Sequence, residues 1–461
     1  MKIAHPVAGT VFMDQSHKYF GTDGIRGTVG DSPMTVDFVL KLGWAVGMML
    51  SVATGKKVLI GKDTRISGYM IESALQAGLS SAGANIYLLG PVPTPGIAYL
   101  TQAFRAEIGI VISASHNPFN DNGIKFFSTD GFKLSKEVEQ SIEYWLSQPI
   151  KTFQSSFLGK AKRVDDAQGR YIEFCKSSVP YNTQFRNLKI IIDCANGATY
   201  HIAPYVFSEL GAEVIAIHSS PDGVNINVNC GSCHPEILRQ RVLEEKADLG
   251  IAFDGDGDRV VMIDDQGEIL DGDEILYIIA RNLFLANRLN GGVISTEMSN
   301  KGFEIALEEL NIPFLRVAVG DQNVIHALRN NKWLLGGEPS GHIMYLNATT
   351  TADGIISALQ VLLAMFTHNK SLHEIKKGMR RFPQQSCALS HHGIQIDLQN
   401  GKVGALLKNA EKTLGKTGRV LLRYSGTEPV IRIMVEGEDT QLVAQVLQSL
   451  KEEIGALIKV V

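Results

Sequence analysis

Three times along the 461 residues the same order of patterns returns: a short apolar run, a polar loop, a helical stretch closed by Gly or Asn, and a second apolar run. The first copy has its strand pattern at 57–61, the loop Lys62-Asp63-Thr64-Arg65-Ile66-Ser67-Gly68, a helix over 69–82, Gly83, and a strand over 85–89. The second has a strand at 188–192, a loop from Asp193 to Thr199, a helix ending at Leu210, Gly211, and a strand at 213–217. The third has a strand at 292–295, a loop at 296–302, a helix at 303–310, Asn311, and a strand at 314–319. Gly or Asn is what a helix end needs for its left-handed turn. Strand, helix and strand within about 30 residues imply a parallel crossover with the helix packed on the sheet. The pattern therefore predicts three similar α/β domains in tandem.

Beyond 380 the pattern changes. Residues 403–414 read as a helix, 419–424 and 430–436 as strands flanking a polar turn, and 441–460 as a second helix. That order predicts a smaller α+β domain. Arg380-Arg381-Phe382-Pro383 is the expected junction, because proline and the residue before it resist helix. The division expected is an extension at 1–17 and domains at 18–168, 169–268, 269–380 and 381–461. A chain of this length needs several domains, at roughly 100–200 residues each.

Several function classes drop out at once. With 44 Lys+Arg against 48 Asp+Glu, the net charge of −4 gives no basis for a nucleic-acid partner. The longest apolar runs, 42–53 and 355–366, fall short of the roughly 18–20 residues of a membrane span. The first 17 residues hold Pro6, Gly9, Asp14 and His17 and have no apolar core of a signal segment. Five cysteines, few and odd in number, suit a reducing cytoplasm. Cys230-Gly231-Ser232-Cys233 has redox spacing, but no apolar strand feeds directly into it, and it reads as a loop with two bystander thiols.

Five loops carry chemistry. The apolar run 108–112 opens into Ser113-Ala114-Ser115-His116-Asn117-Pro118, followed by Asn122-Gly123-Ile124-Lys125. A strand ending in a turn lifts small side chains clear of the sheet, and Ser115 is the candidate covalent phosphoryl carrier. Alone, this loop reads more readily as an ordinary strand exit; the other loops reverse that. In Asp254-Gly255-Asp256-Gly257-Asp258-Arg259 an apolar strand delivers three carboxylates at alternate positions, with glycines that let the backbone curl around one cation. Such a density of hard oxygen ligands suits Mg²⁺ or Ca²⁺. An EF-hand is excluded, because its sixth position would be Gly and is Arg259, and the flanks are strand-like. A phosphatase using an aspartyl-phosphate on Asp254 stays open as an alternative. Arg423, Tyr424, Ser425, Gly426, Thr427, Glu428, Pro429 and Arg432 put two cations and two hydroxyls around a turn, a combination that can cradle a phosphate. Gly336-Gly337-Glu338-Pro339-Ser340-Gly341-His342 offers a carboxylate, a hydroxyl and an imidazole to sugar hydroxyls. Tyr19 to Gly27 is a glycine-rich loop with one cation, Arg26. Together they point to phosphoryl transfer, which needs positioning and charge neutralisation more than covalent help.

From Tyr19 to the C-terminus these motifs, in this order, resemble the α-D-phosphohexomutase superfamily, and within it the bacterial branch acting on glucosamine phosphate: Tyr-Phe-Gly-Thr-Asp-Gly-Ile-Arg-Gly, Ser-Ala-Ser-His-Asn-Pro, Asp-Gly-Asp-Gly-Asp-Arg, Gly-Glu-x-Ser-Gly-His and Arg-x-Ser-Gly-Thr-Glu-Pro. The resemblance implies three α/β domains with mixed sheets and a smaller fourth around one cleft. It implies that Ser115 is phosphorylated, and that Asp254, Asp256 and Asp258 hold one Mg²⁺ with a phosphoserine oxygen. Arg26 and Arg259 would lie near the phosphoserine. Glu338 and Ser340 would grip the sugar, and Arg423, Ser425, Gly426, Thr427 and Arg432 the phosphate that does not react. Lys125 and His342 are the implied proton-transfer groups, with His116 assisting. The implied reaction interconverts glucosamine 6-phosphate and glucosamine 1-phosphate through a 1,6-bisphosphate, primed by a hexose 1,6-bisphosphate or by autophosphorylation. It feeds UDP-N-acetylglucosamine and cell-wall synthesis. A phosphomannomutase/phosphoglucomutase with the same mechanism is the alternative, and a homodimer is common among such proteins. One departure stands out: Gly320-Asp321-Gln322-Asn323-Val324 replaces the family's frequent Gly-Asp-Arg-Tyr-Val.

Overall fold

The structure, a computed structural model, describes residues 18–50, 56–391, 396–398, 400–425 and 429–460. The described residues form two compact units: those up to Arg170 with Pro221–Ile226, and Tyr171–Ser220 with Asn227 onward. The first unit is built on a six-stranded sheet in the order Ile25–Thr28, Asp121–Ser128, Ile108–Ile112, Lys57–Lys62, Asn85–Pro91, Ala161–Arg163. The second holds three sheets. One is five-stranded (Ile269–Leu270, Val260–Asp264, Leu249–Phe253, Lys189–Asp193, Glu213–Ile217). The next is four-stranded (Phe314–Val317, Val293–Thr296, Leu335–Gly337, Ile343–Tyr345). The last is three-stranded (Gln384–Ser390, Val430–Glu436, Arg419–Tyr424).

The expected crossovers are present. Lys57–Lys62 runs parallel to Asn85–Pro91, Lys189–Asp193 to Glu213–Ile217, and Val293–Thr296 to Phe314–Val317. Each helix between them ends at a left-handed residue: Gly83 (φ 85°), Gly211 (φ 94°) and Asn311 (φ 57°). The sheets are mixed because each crossover is followed by a further device. A third strand joins the first in parallel: Ile108–Ile112, Leu249–Phe253 or Leu335–Gly337. The chain then loops and returns antiparallel along that third strand, as Asp121–Ser128, Val260–Asp264 or Ile343–Tyr345. The serine loop, the acidic loop and the Glu338 loop are therefore the same loop of one repeated unit, three times over.

Strands covered on both faces read as continuous apolar runs. In the first sheet Val58 and Ile60 belong to one core, with Trp44, Leu75 and Ile110, while Leu59 faces another with Ile97, Val111 and Phe127. The helices Val36–Leu50 and Ser67–Ser81 cross closely through glycines, which explains why Gly43 and Gly47 interrupt the apolar run there. A Cβ on Gly78 would stand 2.1 Å from the Leu40 carbonyl oxygen and 2.6 Å from the Trp44 nitrogen. Gly78→Ala gains about 1 kcal/mol of helix propensity but forces two helix backbones apart, at a cost of about 1–3 kcal/mol or more. A net fall in melting temperature is expected, and thermal denaturation of the full chain checks it.

The C-terminal domain needs one correction. The helices Gly401–Leu414 and Thr440–Val460 and both expected strands are found, but a third strand, Gln384–Ser390, precedes them and pairs with Val430–Glu436. Its residues alternate exposed and half-buried at the sheet edge, so it carries no apolar run to betray it. The junction before it is pinned by one buried side chain. Asn300 accepts from Phe382 N–H (2.9 Å) and donates to the Phe382 carbonyl (3.0 Å), and its amide lies 3.5 Å from Glu436 Oε2.

Candidate active site

In the first unit the serine loop leaves the sheet at Ile112, and Ser115 takes φ 55°, the left-handed region that a residue with a Cβ adopts at a cost of about 1–2 kcal/mol. Strain of this kind persists only where the surroundings impose it. Ser115 is buried, at 2 % exposure, and His116 beside it is half-buried. The loop is closed internally by Asn117 N–H to the Ala114 carbonyl (3.1 Å) and Asn117 Nδ2 to Asp121 (3.0 Å).

Asp23 gathers three cations in the same unit. It accepts from Lys133 (2.5 Å) and Arg26, and Lys125 Nζ stands 3.3 Å away. Burial pushes the Asp23 carboxyl up, but Lys125, Lys133 and Arg26 overrule it and hold it far below the usual carboxylate range. Lys125, itself buried, is thus kept beside a permanent anion. The pattern did single out Arg26 and Lys125; the carboxylate that links them is read only from the structure.

In the second unit the acidic loop lies between two strands, as expected, which rules out the helix-flanked EF-hand. Asp254, Asp256 and Asp258 are all buried, and one carboxylate oxygen from each lies within 4.8 Å of the others. Burial works against the charge of Arg259, but Asp254, Asp258 and Asp256 together raise its pKa. Three buried carboxylates against one guanidinium leave an excess of negative charge that fits a hard divalent cation. The acidic loop is stitched to the Glu338 loop: Val260 N–H donates to the Gly341 carbonyl (3.1 Å), and Arg259 pairs with His342 as an isolated bridge. His342 Nε2 stands 3.6 Å from Asp258 Oδ2. Burial opposes the imidazolium, and Asp258, Asp321 and Glu338 outweigh it and raise its pKa. Glu338 accepts from Gly320 N–H (3.1 Å), so the loop that lacks the Arg–Tyr pair still reaches Glu338 through its backbone. Ser340 is exposed at the loop tip.

In the last domain Arg423 and Arg432 are direct cross-strand partners on antiparallel strands. Like charges so placed destabilise a sheet, an arrangement that an anion between them reverses. Ser425 N–H donates to the Val430 carbonyl (2.9 Å). Gly426 and Thr427, also candidates for this site, lie outside the described residues.

The Cys-x-x-Cys loop holds free thiols, Cys230 buried and Cys233 exposed. Cys230 adjoins Asp193 and His218, but the Asp193 carboxylate already serves Ala195 N–H (2.9 Å) and Gly231 N–H (2.9 Å), which makes it a tie between loops. Among the described residues no helix is long and apolar enough to cross a membrane.

Known families match this chain domain by domain. Models described as phosphoglucomutase/phosphomannomutase cover 17–149 (alpha/beta/alpha domain I), 169–267 (domain II), 271–382 (domain III) and 392–453 (C-terminal domain). A phosphoglucosamine mutase of Aeromonas salmonicida (strain A449) is 58 % identical over 439 residues, 95 % of this chain and 99 % of that one. Another, of Pseudomonas entomophila (strain L48), is 58 % identical over 445 residues, 96 % and 100 % of the two chains. Among solved structures, a phosphoglucomutase/phosphomannomutase family protein from Burkholderia thailandensis superposes with TM-score 0.78 at 24 % identity, covering 96 % of this chain and 98 % of that one. An Aspergillus fumigatus N-acetylphosphoglucosamine mutase in complex with GlcNAc-6P and magnesium gives 0.66 at 16 %, with 95 % of each chain covered. These two show the same fold.

Proposed function

The chain belongs to the phosphoglucomutase/phosphomannomutase family, and from that premise we propose that it is an isomerase interconverting glucosamine 6-phosphate and glucosamine 1-phosphate in the cytoplasm. The observation that carries the sugar is near full-length identity of 55–58 % to several proteins named phosphoglucosamine mutase. The alternative, a mutase for glucose or mannose phosphate, has less support.

In the cycle we infer, Ser115 carries the phosphoryl group. Its P–Oγ bond breaks as a P–O bond forms to O1 of glucosamine 6-phosphate, and the O1 proton passes to a protein base. The 1,6-bisphosphate turns round, its P–O6 bond breaks, the phosphoryl group returns to Ser115 Oγ, and O6 takes up a proton. Lys125 and His342 are the proton-transfer candidates, with His116 assisting. Family membership implies a metal ion; Asp254, Asp256 and Asp258 would hold it, and their oxygen-only donor set suits a hard divalent cation, which we take to be Mg²⁺. Bound there, it supplies neutralisation of phosphoryl charge. Arg26 and Arg259 add positive charge for the phosphoserine. Glu338 and Ser340 accept the sugar. Arg423, Ser425, Gly426, Thr427 and Arg432 hold the phosphate that is not reacting. Because both ends of the bisphosphate must be accepted in turn, a clamp of arginines and backbone N–H groups suits the task; it reads a phosphate and is indifferent to the carbon behind it.

The test is ³¹P NMR of the purified protein with Mg²⁺, a trace of hexose 1,6-bisphosphate and glucosamine 6-phosphate, with glucose 1-phosphate and mannose 1-phosphate in parallel tubes. Glucosamine 1-phosphate is expected to form faster than the other products by about a hundredfold or more, about 2.7 kcal/mol of discrimination. Equal turnover of the hexose phosphates would move the role to hexose metabolism. No turnover of any of them would remove the mutase.

A further inference from the structure

The serine loop rests on a side chain to which the reaction assigns nothing. Arg65 is fully buried, at 0 % exposure. Its guanidinium is spent on the backbone of one loop: Nη2 donates to the carbonyls of Ser115 (2.9 Å) and Asn117 (2.9 Å), and Nη1 to those of Asp121 (3.1 Å) and Pro118. Nε donates to Asp63 Oδ2 (2.8 Å). That same oxygen accepts from Ser113 Oγ (2.7 Å), and Ser113 Oγ in turn accepts from Ser115 N–H (2.9 Å). Asp63 is oriented by Arg65 N–H (3.0 Å) and is likewise buried. Ser115 is thus held at both its backbone groups by one ion pair.

We propose that the Asp63–Arg65 pair, through Ser113, positions Ser115 for phosphoryl transfer by imposing the left-handed turn at that residue. A buried charge is costly unless it is paired and fully hydrogen-bonded, and here both conditions are met by the loop itself. The pair has discrete geometry: only a planar fork with donors on three nitrogens can bridge four carbonyls and a carboxylate at once. A lysine keeps the charge and loses the span. Asp63 and Arg65 sit on the loop that follows Lys57–Lys62, the strand hydrogen-bonded to Ile108–Ile112, so two neighbouring strand ends meet. Neither residue touches a reacting atom; both are positioning residues.

The inference rests on the mutase reading, and its test separates the two. With the full-length protein, Arg65→Lys is expected to lower kcat at least about a hundredfold while KM for glucosamine 6-phosphate stays within about threefold. Phosphorylation of Ser115 by hexose 1,6-bisphosphate, followed by intact mass, is expected to slow in parallel. A purely structural role moves the folded fraction and leaves kcat per folded molecule alone, so activities are normalised to the folded fraction from circular dichroism. Folded Arg65→Lys protein within threefold of wild-type kcat overturns the proposal. Should Arg65→Lys fail to fold, Ser113→Ala decides, since it deletes one oxygen of the relay. A five- to twentyfold fall in kcat at constant KM supports the proposal, and wild-type kcat overturns it. A wild-type protein that turns over none of the sugar phosphates removes the mutase reading instead.

Discussion

Replacing Ser115 by alanine is expected to stop steady turnover, with a fall of at least about a thousandfold, equivalent to about 4 kcal/mol of transition-state stabilisation. The substitution removes one oxygen atom and little else. The backbone restraints on residue 115, from Arg65 to its carbonyl and from its N–H to Ser113 Oγ, do not involve the lost hydroxyl. The fold is therefore expected to survive, and the loss can be assigned to chemistry. In the proposed cycle Ser115 Oγ stores the phosphoryl group, so without the hydroxyl neither half of that cycle can run. Two measurements check this: kcat with glucosamine 6-phosphate, and the mass of the loop peptide after treatment with hexose 1,6-bisphosphate. A variant retaining more than about a tenth of the wild-type rate removes Ser115 from its role.

The second large effect concerns the acidic loop, where stability and activity should move in opposite directions. Asp254, Asp256 and Asp258 crowd three carboxylates into a buried space. Asp256→Asn removes one negative charge from that group, so without metal the protein should melt at a higher temperature than wild type, by a gain of order 1 kcal/mol. Activity should fall about a hundredfold or more, because one charged ligand of the cation is gone. The rise in melting temperature produced by added Mg²⁺, a linkage effect of binding to the folded state, should shrink. Paired thermal scans in chelator and in Mg²⁺, with kcat on the same samples, test all three. Wild-type activity together with an unchanged response to Mg²⁺ would falsify the metal assignment.

The parts of this protein legible in its sequence are those written in local patterns. The crossovers could be read because buried parallel strands are uniformly apolar and because Gly83, Gly211 and Asn311 mark the helix ends. The acidic loop could be read because alternate aspartates separated by glycine have few other uses. Asp63 and Arg65 lie in a loop whose polarity could be read but whose target, about fifty residues away, could not. No periodicity reports which carbonyls a buried guanidinium will reach. The link at Asp23 is hidden for the same reason: Arg26 is three residues away, but Lys125 and Lys133 join it only after the strand Ile25–Thr28 has paired with Asp121–Ser128. Gln384–Ser390 leaves no trace in the sequence pattern, because an edge strand with half its side chains in water needs no apolar signature.

The tie at Asn300 has a mechanical consequence. It grips the last domain at Phe382 and near Glu436, one end of the central strand Val430–Glu436, while Arg432 and Ser425 lie toward the other end. That strand is about 20 Å long. Were the strand to turn as a lever about that amide, a rotation of about ten degrees would sweep the far end through about 3.5 Å, a little more than the length of a hydrogen bond. The grip on phosphate proposed for this end of the strand would then be made or broken by a turn too small to disturb the packing around the fulcrum.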